Sequence, residues 1–63
     1  MENESLWLPD GYGLGTIIYD NENNPYEATK NLNSCIYEIT PVEKDYAEKR
    51  IQQGAKKLVS TNK

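Results

Sequence analysis

The sequence predicts a small α+β fold: a three-stranded antiparallel meander followed by one C-terminal amphipathic helix packed on the sheet. Three observations point that way. Residues 35–40 alternate, with Cys35, Tyr37 and Ile39 on one face, as in a half-buried strand. Thr40, Pro41, Val42 and Glu43 have the form of a helix start: Thr40 as N-cap, Pro41 in the first turn, and Glu43 placed to bond back to the cap. Two Asn-rich stretches, 20–25 and 31–34, have the composition of turns between strands.

The elements follow in order within one small domain spanning 1–63. Residues 1–10 carry Leu6, Trp7, Leu8 and Pro9 without a clear period, and are expected to be a flexible or docking arm. Gly11, Gly13 and Gly15 follow. Glycines let backbone N–H groups approach a phosphate, but the dinucleotide fingerprint follows a strand and opens a helix. Here the glycines follow Pro9 and Asp10 and precede the apolar run 16–19, so they read as a turn. Strands are expected at 16–19, more weakly at 25–30, and at 35–40, giving a meander over 15–40. The helix is expected over 41–59, with 60–63 as a frayed tail. At about 100° per residue, Ala47, Ile51, Gly54, Ala55 and Leu58 form one stripe, with Lys49, Arg50, Gln53, Lys56 and Lys57 opposite. Val42 and Tyr46 fall off the stripe. Either the chain's own sheet covers it, or a second copy does, as a homodimer through Ala47, Ile51, Gly54, Ala55 and Leu58.

Composition excludes most chemistry. The chain has 63 residues, a formal charge of −3, no His and one Cys. A chain so short hides only about 60% of the surface its unfolded form exposes, so its core is thin. Five Tyr and one Trp supply apolar mass that the absent Phe does not. Cys35 alone forms neither an intrachain disulfide nor a thiolate zinc site. Residues 1–5 are acidic where a signal peptide is basic, and no apolar run reaches membrane-spanning length. The expectation is a cytoplasmic protein without membrane contact. Missing histidine removes Ser-His-Asp and Cys-His systems and histidine-based zinc sites. No spacing of carboxylates singles out an acid/base pair. Residues 20–24 offer oxygens at alternate positions, but a calcium loop needs Gly at its sixth place and Glu at its twelfth, where Pro25 and Asn31 stand. No catalytic residue, metal ligand or cofactor is therefore expected, and the chain does not read as an enzyme.

Charge is polarised along the chain. Residues 1–40 hold Glu2, Glu4, Asp10, Asp20, Glu22, Glu27 and Glu38 against Lys30 alone. Residues 41–63 hold Lys44, Lys49, Arg50, Lys56, Lys57 and Lys63 against Glu43, Asp45 and Glu48. With many interface-forming aromatics, this favours a non-enzymatic protein-binding module. It would be a small intracellular regulator, inhibitor or accessory subunit, in the manner of a phage or bacterial accessory factor, that occupies a surface of a larger protein. Tyr19 and Tyr37 are assigned to the core. The expected docking residues are Trp7, Tyr12 and Tyr26 with the acids Asp20, Glu22 and Glu27. The alternative is a nucleic-acid-binding accessory protein using Lys49, Arg50, Gln53, Lys56 and Lys57 on phosphates, a weaker reading because the acidic first forty residues repel a polyanion. Reversing Lys49, Arg50, Lys56 and Lys57 to Glu is expected to test it with little effect on folding.

Overall fold

A computed structural model describes residues 4–59. It shows a five-stranded mixed sheet and one short helix: β1 (Glu4–Trp7), β2 (Ile17–Tyr19), β3 (Pro25–Asn33), β4 (Ile36–Pro41), α1 (Lys44–Gln52) and β5 (Lys57–Val59). The strand order is β1-β4-β3-β2-β5. The β1–β4, β4–β3 and β3–β2 pairs are antiparallel and the β2–β5 pair is parallel. The sheet curls into a half-barrel, so residues from all five strands meet on its concave side.

The expected three-stranded meander is thus only the middle of the sheet, and it is corrected at both ends. Leu6 and Trp7, expected in an arm, lie in β1, which pairs along β4 from Glu4↔Ile39 to Trp7↔Ile36. The helix expected over 41–59 is nine residues long. Thr40 and Pro41 do not start it. They end β4, and the Val42 N–H donates to the Pro25 carbonyl at 3.1 Å. The N-cap is Glu43, extended at φ −79° and ψ 153°, with no side-chain capping bond. Ladder hydrogen bonds from a distant strand outweigh the single local bond a Thr cap offers.

The helix stops early because Gly54, at φ +109°, takes the left-handed conformation a terminating residue needs. Its N–H donates to the Ile51 carbonyl and that of Ala55 to the Arg50 carbonyl, both at 3.0 Å. This is the Schellman pattern. The chain then turns into β5 beside β2, and Leu58, expected on the helix, lies in a strand. Asn31 and Asn33 extend β3, so the second turn is at Ser34 and Cys35. Residues 60–63, and 1–3 of the expected arm, lie outside the described residues.

Alternation along β2 builds the core on both sheet faces. Ile18 joins Leu8, Ala28 and Ile39 on the concave side, closed by Leu6, Tyr12, Tyr26, Tyr37 and Leu58. Ile17 and Tyr19 meet Ala47 of α1 on the other side, with Val42, Ile51 and Ala55 around them. A strand buried on both faces needs a continuous apolar run, which Ile17, Ile18 and Tyr19 supply. Gly15 fits the chain into β2: its N–H donates to the Ala28 carbonyl at 2.9 Å, while the Ala28 N–H donates to the Thr16 carbonyl at 3.0 Å. Two residues oppose one, a bulge that Gly15 permits at φ +87°. The glycine run therefore serves strand entry.

Candidate interaction surface

β1 lies at the sheet edge, and its register fixes what that edge offers. The Leu8 N–H donates to the Cys35 carbonyl at 2.8 Å. In an antiparallel ladder, hydrogen-bonded pairs alternate with non-bonded ones. Stepping back by two, the pairs Leu6↔Tyr37 and Glu4↔Ile39 turn their backbone groups to β4. Ser5 and Trp7 turn theirs outward, where no described strand pairs with β1. Leu6 faces the concave core and Trp7 the opposite side, with 59% of its surface exposed. The helix packs on β2 and β3, leaving the outer face of β4 and β1 beyond its main contacts. On that face Trp7 is opposite Ile36, Ser5 opposite Glu38, and Glu38 opposite Lys30.

The other expected docking residues divide into two groups. Tyr26 is half-buried against the concave core, with Asp20, Glu4 and Glu22 around its phenol. Partial burial, foremost, and these carboxylates hold the Tyr26 pKa above its ordinary value. The Asp20 carboxylate is folded into its own turn: Oδ1 accepts the N–H groups of Asn24 at 2.8 Å and Glu22 at 2.9 Å. Those backbone bonds, the Asn24 one foremost, draw its pKa below the usual value. Its oxygens are thus engaged in closing the hairpin. Tyr12 packs on the concave core and is half-buried.

Glu27 does not join that group. It lies on the helix side of β3, where its Oε1 accepts the Tyr46 hydroxyl at 2.8 Å and its Oε2 is 3.7 Å from Arg50 Nε. One residue of the expected protein-binding set is therefore ion-paired with one of the expected nucleic-acid set. Tyr46, which the sequence assigns to neither set, is the third member of this contact. Its departure from the apolar stripe was the available signal, since it stands one turn before Arg50. The hydrogen bond to Glu27 is the main reason the Tyr46 pKa is raised.

The expected basic helix face is not one surface. Lys49 and Gln53 are exposed, and Gln53 Oε1 accepts Arg50 Nη1 at 3.1 Å. Lys56 follows the helix, and Lys57 lies in β5 with Nζ 5.2 Å from the centre of the Tyr19 ring. The expected dimer stripe is divided too: Ala47 is fully buried against β2, Ile51 and Ala55 pack beside it, and Leu58 faces the concave core. An open cleft of about 350 Å³ lies between α1 and β2, lined by Tyr19, Asn23, Glu48, Ile51, Gln52 and Lys57. Among the described residues, no group of three or more His, Cys, Asp or Glu is placed to hold a metal ion, and no helix is long and apolar enough to cross a membrane.

Comparison with known proteins gives no match: no family model fits the chain, and neither a curated protein nor a solved structure resembles it.

Proposed function

We propose that the chain is a non-enzymatic protein-binding module that occupies a surface of a larger protein, docking through Trp7 and the edge of β1 that no described strand covers. The exposure of Trp7 carries this reading. A tryptophan that is 59% exposed, where the largest fully buried side chains among the described residues are Leu8, Ile17, Ile18 and Thr16, leaves much apolar surface in water. Tryptophan contributes disproportionately when an interface buries it. A regulator, inhibitor or accessory subunit of cytoplasmic location fits the lone, half-buried Cys35.

Affinity capture from the native cell with wild-type and Trp7→Ala baits tests the proposal. A stoichiometric protein partner should be retained by the wild type, lost with Trp7→Ala, and kept by a Lys49→Glu, Lys56→Glu, Lys57→Glu triple variant. A partner indifferent to Trp7, or nucleic acid recovered and lost in the triple variant, refutes it.

A further inference from the structure

We draw no further inference here: the strongest candidate, the open cleft between α1 and β2, is lined by the opposite charges of Glu48 and Lys57 on exposed side chains, and nothing in the structure shows what would occupy it.

Discussion

Tyr46, Glu27 and Arg50 join α1 to β3 through one phenolic hydrogen bond and one ion pair, so the basic residues of this region are not equivalent. Arg50 is 34% exposed in its side chain and Glu27 only 16%. Arg50→Glu sets a second carboxylate beside Glu27 and should cost about 1 kcal/mol or more, whereas exposed Lys49→Glu should stay within about 0.5 kcal/mol. Denaturant titration of the two variants checks this, and equal midpoints would contradict it. Reversing all four basic residues is therefore not the neutral test of nucleic-acid binding that the sequence suggested. Tyr46 adds a pH dependence. Its pKa is raised, chiefly by donating to Glu27, so the protonated phenol is the bonded form. Its contribution is complete below the ordinary phenol value and is lost as pH rises through the raised one. Tyr46→Phe should be less stable than the wild type at neutral pH and should lose less stability on going to about pH 11, where Tyr26, whose pKa is also raised, still contributes. Parallel thermal melts decide it: alkaline limbs of the same depth would show that the hydrogen bond contributes nothing.

The ends of α1 show which signals were legible at the scale of elements. Glycine at a helix end is a local signal, yet Gly54 also fitted the stripe, because a helix period places it with Ala47 and Ile51. Its φ of +109° decides for the terminator. The cap at Thr40 was equally local, but the competing bond, from Val42 to Pro25, joins residues that no local pattern relates. β5 is three residues long, too short to display a period of two, and Leu58 suited either element. Both helix ends are open to test. Glu43 makes no side-chain cap bond; Glu43→Ser supplies one and should stabilise by about 0.5–1 kcal/mol. Gly54→Ala forces an L side chain into the left-handed region and should destabilise by about 1 kcal/mol. Chemical denaturation reads both, and a loss for Glu43→Ser would place the start of the helix elsewhere.

Across the whole molecule, the two strands invisible to local pattern are the two at the sheet edges, and that is one physical fact rather than two omissions. β1 pairs with β4 and β5 with β2 across long stretches of chain, so their place in the sheet depends on loop closure and not on neighbouring residues. The candidate surface was legible in part for the same reason. Trp7 stood out by its chemistry, but its role depends on an edge that exists only once β1 has docked, and the Glu27–Arg50 pair joined two sets that the sequence kept apart. Dependence on closure also orders local stability. β2 is bonded on both sides and buried on both faces, whereas β1 has one partner among the described strands, four residues and a side chain in water. Opening β1 exposes less apolar surface than opening β2, so the edge should unfold without the centre. Native-state hydrogen exchange should show the bonded amides of β2 and its β3 partners opening only with global unfolding. The Leu6 and Leu8 amides should exchange at lower free energy, and those of Ser5 and Trp7, turned outward, should be the fastest of the strand amides. Protection of Leu6 equal to that of β2 would mean that β1 is held as firmly as the core and does not open separately.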